Sequence, residues 1–217
     1  MSVAVWIGAA PPHRSVRWLD GALAAAAKFD NATAIAAGDQ TWLDLAADRA
    51  NRAGLPSVGV QTELKLDYLG WAQIVAAAMR HLKATTLLVD EVSRPERFPE
   101  VAAIADQLDA AQLTRVVALA PDGSVIHASR IAGRELQTIR VRGPAVIGIR
   151  IAGPPIDEYP TPSPSASMKR LDLAALGLDP LVLGHRALPP RTGSSQTKKS
   201  VDRIVEHLSV HRAARRS

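Results

Sequence analysis

Four short apolar or β-branched runs recur in the first ninety residues: SVAVWIGA at 2–9, ATAIAA at 32–37, SVGVQ at 57–61 and TTLLV at 85–89. Each is separated from the next by a segment with helical periodicity. Strands that read as unbroken apolar runs are buried on both faces, and a sheet buried on both faces needs helices above and below it, which makes it mainly parallel. SVRWLDGALAAAAKF, QTWLDLAADRANRAG and LDYLGWAQIVAAAMRHL supply those helices. In the third, Leu66, Leu69, Ile74, Ala77 and Leu82 share a broad apolar face with Trp71 near its edge. The second stops at Gly54, with Pro56 just beyond. The first half is expected to be doubly wound.

After Leu113 the period changes. TRVVALA, VIHASRI, ELQTIRVR and GPAVIGIR, punctuated by PDGS and AGR, read as a meander of strands joined by tight turns, with Asp122-Gly123 the clearest turn signal. Gln137, Ile139 and Val141 face one way while Thr138 and Arg140 face the other, so at least this strand should be half exposed. From 153 to 169, GPPIDEYPTPSPSASMK carries five prolines and reads as an extended loop. The expected fold class is α/β: a doubly wound mainly parallel sheet with added antiparallel strands and an extended C-terminal arm. Residues 1–189 form the α/β domain. Residues 190–217 combine a polar linker, RTGSSQTKK, with a terminal helix that Ser200 caps and that places Val201, Ile204, Val205 and Leu208 on one side. Such an arm has the form of one contacting a partner subunit; the alternative is a helix that packs back on its own domain.

The net charge of +5 lies in that arm. Arg191 to Ser217 hold seven Lys or Arg against two acids, and the remaining chain balances at nineteen of each. With Phe and Tyr only two each, there is neither a basic folded face nor a set of stacking aromatics, and no nucleic-acid partner is expected. The absence of cysteine excludes disulfides, thiolate nucleophiles and cysteine-ligated clusters made by this chain. No apolar run reaches membrane-spanning length and no basic n-region precedes the first strand, so the expected location is the cytoplasm, without membrane insertion.

Chemistry-bearing motifs are sparse. His207 and His211 lie one turn apart beside Glu206, but Arg212, Arg215 and Arg216 oppose a cation there, and no metal site is expected. There is no nucleophile elbow and no Gly-rich phosphate loop, so no catalytic residue is assigned. Asp90 and Glu91 follow the fourth strand at its C-terminal end, where α/β proteins often keep functional acids, although a surface loop would look the same. Arg94 and Arg97 are placed to meet a phosphate at the helix that Pro99 opens, with Glu96 and Glu100 partly cancelling the attraction. Arg130, in HASRIAGRELQTIRVRGPAVIGI, is either a solvated turn charge or part of a polar interface with a partner or a nucleotide.

The segment from Ala128 to Gly148, ASRIAGRELQTIRVRGPAVIG, resembles the signature of electron transfer flavoprotein beta subunits, with Arg130, Gln137, Ile139, Pro144, Val146 and Ile147 fitting and Gly133 and Arg134 departing. EYPTPSPSASMKR and TKKSVDRIVEHL follow in the family's order, resembling its tyrosine-to-methionine-lysine loop and its terminal linker and helix. The resemblance implies an alpha-like partner subunit holding most of an FAD, with this chain as one wall of the flavin cleft. It also implies a flavin dehydrogenase or other redox protein as the client. Asp90, Arg94, Arg97 and Arg130 are then the cofactor-facing candidates. Where the family has an Asn-Gln-Thr-Gly run to hold AMP, this chain has SRPERFPE, which removes small donors from around a phosphate and argues against ordinary AMP binding. The alternative is a redox-inactive structural, regulatory or nucleotide-sensing subunit that keeps the fold.

Overall fold

The four apolar runs form the centre of a parallel sheet. In the computed structural model, which describes residues 1–9, 17–91, 98–152 and 167–184, they become β1 (Val3–Gly8), β2 (Ala32–Gly38), β3 (Ser57–Gln61) and β4 (Thr86–Asp90). Each lies within a residue of its expected bounds. Arg94, Arg97, most of the proline-rich segment and the arm at 190–217 lie outside the described residues.

Between the strands run α1 (Arg17–Ala26), α2 (Gln40–Arg52) and α3 (Tyr68–His81), and α4 (Phe98–Gln107) follows β4. Two of these starts are fixed by aspartates. Asp39 Oδ1 accepts from the Trp42 amide at 2.8 Å and Asp67 Oδ1 from the Gly70 amide at 2.8 Å, satisfying amides that the first helical turn leaves without partners. Gly54 ends α2 with φ of 72°, a left-handed conformation that glycine adopts without steric penalty.

The described strands form one nine-stranded sheet in the order β7-β6-β5-β8-β4-β1-β2-β3-β9. The later members are β5 (Ala111–Asp122), β6 (Val125–Ala132), β7 (Glu135–Val141), β8 (Ala145–Ile149) and β9 (Lys169–Leu171). Beneath one face, Leu19, Leu23 and Ala26 of α1 and Leu43 and Ala46 of α2 pack against Val5, Ala34, Leu88 and Ile147. On the opposite face, Ile74, Val75 and Met79 of α3 and Val101 and Ile104 of α4 cover Trp6, Ile35, Leu87 and Val146. The mixed α/β fold, doubly wound and largely parallel with antiparallel pairs added, is the one expected. α3 is buried over more of its circumference than its apolar stripe implies, with Ala76 and Ala78 as buried as Ile74, because it touches α4 and the 3-10 turn Ala174–Leu176 as well as the sheet.

The second half corrects one expectation. β5, β6 and β7 do pair antiparallel through the Gly123-Ser124 turn that Asp122 leads into and the Gly133-Arg134 turn, and β7 is half exposed as its alternation requires. The fourth segment does not continue the meander. β8 returns to the middle of the sheet and lies between β4 and β5, parallel to both. The physical reason is its sequence: all five residues of AVIGI are buried, and an edge position leaves such a strand half in water. The chain has only residues 142–144 in which to return, at most about 14 Å from Val141 to Ala145. A straight run from Ala111 to Pro121 is about 33 Å, longer than the route back through β6, β7 and that connection allows. β5 is accordingly bent. Its register slips by one residue against β8 between Leu113 and Val116, and again against β6 between Val116 and Ala118. Paired bulges of this kind are how a strand turns sharply without losing its ladder.

Beyond the proline-rich segment, β9 adds to β3. Met168 is buried directly over Gly59, where any Cβ would collide with its sulfur. The expected methionine-lysine segment thus leads into an edge strand anchored by two buried side chains, Met168 before it and Leu171 within it.

Candidate functional site

In doubly wound sheets, ligands sit outside the carboxyl ends of the strands. Two features occupy that edge here. The first is a groove of about 580 Å³ whose lining includes Ala9, Gly38, Asp39, Thr62, Lys65 and Trp71, at the ends of β1, β2 and β3. Its floor is built by close approach. Gly38 has φ of 148°, and a Cβ there would meet Trp42 Cδ1 at 2.8 Å. The Trp42 indole in turn donates to the Gly8 carbonyl at 2.9 Å, which ties the start of α2 to the end of β1. Thr62 donates its amide to Gly38 O at 2.9 Å, and its hydroxyl accepts from the Leu64 amide at 3.2 Å. Asp39 caps α2, so a carboxylate already stands where a helix N-terminus would otherwise attract an anion. Among the described residues the groove therefore presents the Asp39 and Glu63 carboxylates, the Lys65 ammonium and the Trp71 indole to an occupant, and its acids favour hydroxyl donors over anions.

The second feature is a row of residues directly opposite one another across five strands: Asp90, Ile149, Val116, Arg130 and Gln137. Ile149 and Val116 are buried in the core beneath, while Asp90, Arg130 and Gln137 are half-buried. Arg130 Nε and Nη2 donate to Gln137 Oε1 at 3.2 and 3.1 Å. The structure places Asp90 and Arg130 in one row without bringing them together: they are three strands apart, roughly 14 Å along the sheet at the usual strand spacing. Arg94 and Arg97, the remaining sequence candidates, lie outside the described residues.

Beside this row is Glu91, which the sequence shows only as the second of two acids after the fourth strand, no better marked as functional than an acid in a surface loop. Glu91 is only 4% exposed. Its amide donates to Ile149 O at 3.1 Å, and its Oε2 accepts from the Arg115 amide at 2.8 Å. Among the described residues its Oε1 has no hydrogen-bond partner. The carboxyl group rests on Gly148 of β8, in the space a Cβ would fill. Burial pushes its pKa above the ordinary glutamate value; the Arg115 amide and the charges of Arg150 and Arg115 pull it back, and Asp90 pushes it further up. Arg115 has φ of 58°, a left-handed conformation that costs a non-glycine residue on the order of 1 kcal/mol. The signal for Glu91 was available only as a pair: an acid at the end of one strand and a glycine inside the apolar run AVIGI that turns out to be its neighbour.

Among the described residues no three His, Asp or Glu are grouped to hold a metal ion, and no helix is long and apolar enough to cross a membrane. Fold and edge together define a doubly wound α/β protein with an open groove and a charged cross-strand row at its carboxyl end. No family model matches the chain, and no curated protein matches it.

Proposed function

We propose that the chain is the beta-like subunit of a heterodimeric electron transfer flavoprotein. In that reading it pairs with an alpha-like subunit, forms one wall of the cleft that holds FAD, and relays electrons from a flavin dehydrogenase or related redox donor to an acceptor. The observation that carries the reading is the behaviour of the signature segment. Arg130 and Gln137, separated by seven residues, meet across β6 and β7 on the carboxyl-edge row that Asp90 begins, while Val146 and Ile147 lie in the sheet centre that supports the row.

The residues present fit a flavin nucleotide. Gln137 holds the Arg130 guanidinium through Nε and Nη2, which leaves Nη1 to donate to a carbonyl or phosphate oxygen, and arginine's fixed fork makes that direction specific. Asp90 offers an acceptor at the far end of the row. FAD, when bound, takes up and passes on one or two electrons; the chain's part is to orient it, tune its potential and dock the client. AMP is not part of the proposal, since SRPERFPE replaces the residues that ordinarily surround its phosphate. The cytoplasm is the proposed compartment.

Replacing Arg130 tests the site. In the complex of this chain with its partner, Arg130→Ala should weaken FAD binding about tenfold, the effect of losing one charge-assisted hydrogen bond, while association of the subunits stays unchanged. Flavin fluorescence titration of the apo-complex measures it. Equal affinity in the variant and the parent removes Arg130 from the cleft.

A further inference from the structure

Glu91 lies at the bend of β5 and is used by none of the chemistry above. Three chain positions converge on it. It directly follows β4, its amide holds β8 through Ile149 O, its carboxyl lies against Gly148, and its Oε2 holds the Arg115 amide at the point where β5 leaves β8 for β6. The next ladder contact, the Arg150 amide to Val116 O at 2.6 Å, closes the ring. Arg115 keeps its left-handed backbone there, and Val116 beside it opens the arm of the sheet that carries Arg130 and Gln137.

We propose that Glu91 is a protonation-controlled latch, which in its neutral form fixes the bulge of β5 against β4 and β8 and so sets the angle at which β5, β6 and β7 leave the parallel sheet. Neutral, the carboxyl keeps an acceptor for the Arg115 amide, and its remaining oxygen can lie against Gly148 at modest cost. Ionised, the same oxygen is a buried charge with no hydrogen bond from the described residues. The charged groups facing it among the described residues are Arg115 on β5 and Arg150 after β8, both exposed, and Asp90 at the end of β4, which repels it. On α4, which packs over β8, the buried acid Glu100 is engaged by the Trp6 indole at 3.0 Å. Two solvated arginines, opposed by one acid, leave ionisation unfavourable in the closed form. The latch does not depend on the flavoprotein reading.

The sign follows from linkage. The folded-state pKa lies above that of the opened state, so the closed form binds more protons, is fully stabilised below the opened-state pKa, and loses that stabilisation as pH rises through the folded value. The opening constant of the bend should grow roughly tenfold for each pKa unit by which burial displaces the group.

The test uses the full chain with carbon-labelled glutamate. The Glu91 carboxyl carbon should titrate above the ordinary glutamate range. Over the same interval the amides of Arg115, Val116 and Arg150 should lose hydrogen-exchange protection, after correction for intrinsic rates, and Glu91→Gln should abolish that step. A Glu91 titration in the ordinary range, protection independent of pH, or the same step persisting in Glu91→Gln overturns the latch. Should Glu91→Gln fail to fold, the parent protein still decides: the amide shifts of Arg115 and Arg150 must follow the Glu91 titration, and independence of the two refutes the proposal.

Discussion

Gly148→Ala should lower the stability of the folded chain by roughly 3 kcal/mol, near the upper end of what overpacking a core costs. The position looks innocuous in sequence, a glycine in an apolar strand where alanine raises strand propensity. Its space is already taken. The Glu91 carboxyl group lies where the new methyl would go, and Gly148 is flanked by Ile147 and Ile149, both fully buried. The carboxyl has to move, and because its Oε2 is held by the Arg115 amide, moving it strains that bond. Removing the acid at the same time should restore part of the loss, so Glu91→Ala with Gly148→Ala should be more stable than the sum of the single effects, by about 1 to 2 kcal/mol. Urea denaturation of the three variants measures both quantities. A single-variant cost under about 1 kcal/mol, or strict additivity, would show that Glu91 does not occupy that space.

Trp42→Ala should be the most damaging truncation at the carboxyl edge, about 4 kcal/mol. The indole is buried, seals the contact between Gly38 and the start of α2, and donates to Gly8 O. Alanine leaves both a large cavity and a carbonyl without its donor. Trp42→Phe separates the two losses: most of the packing stays, only the hydrogen bond goes, and a cost of roughly 1 to 2 kcal/mol is expected. Because this side chain supports the floor of the groove, both variants should also change what the groove accepts. Thermal and urea unfolding read the stability effects, and near-equal costs for Phe and Ala would assign the whole effect to the indole hydrogen bond.

How far the fold could be read from sequence depended on whether the signal was local. β1 to β4 are each a self-contained apolar run between helical segments, and their bounds emerged within a residue. The Asp122-Gly123 turn was equally local, and Gly123 takes the positive φ such a turn demands. The placement of β8 was not local. AVIGI reads as a strand, but its insertion between β4 and β5 is decided by burial on two faces against strands that end more than twenty residues earlier. The start of β5 was missed for a related reason: Ala111 and Gln112 are exposed and carry no apolar signal, and they are strand residues because Ala145 and Val146 stand beside them. At the candidate site, Asp90 and Arg130 were picked out by their positions near strand ends, and they share a row because of pairings that no window of sequence contains. Glu91 shows the limit most plainly. Its burial, its neighbour Gly148 and its tie to Arg115 arise from three separate strands, so only the assembled sheet distinguishes it from any acid in a surface loop.

Native mass spectrometry of the endogenous protein, purified gently from its source cells, tests the central claim most directly. The expected spectrum is a one-to-one complex of this chain with a larger homologous subunit, carrying the added mass of FAD and no stoichiometric AMP. A flavin-free monomer or homo-oligomer, under conditions that preserve weak complexes, would contradict the flavoprotein reading and leave a protein that has the fold without the redox role.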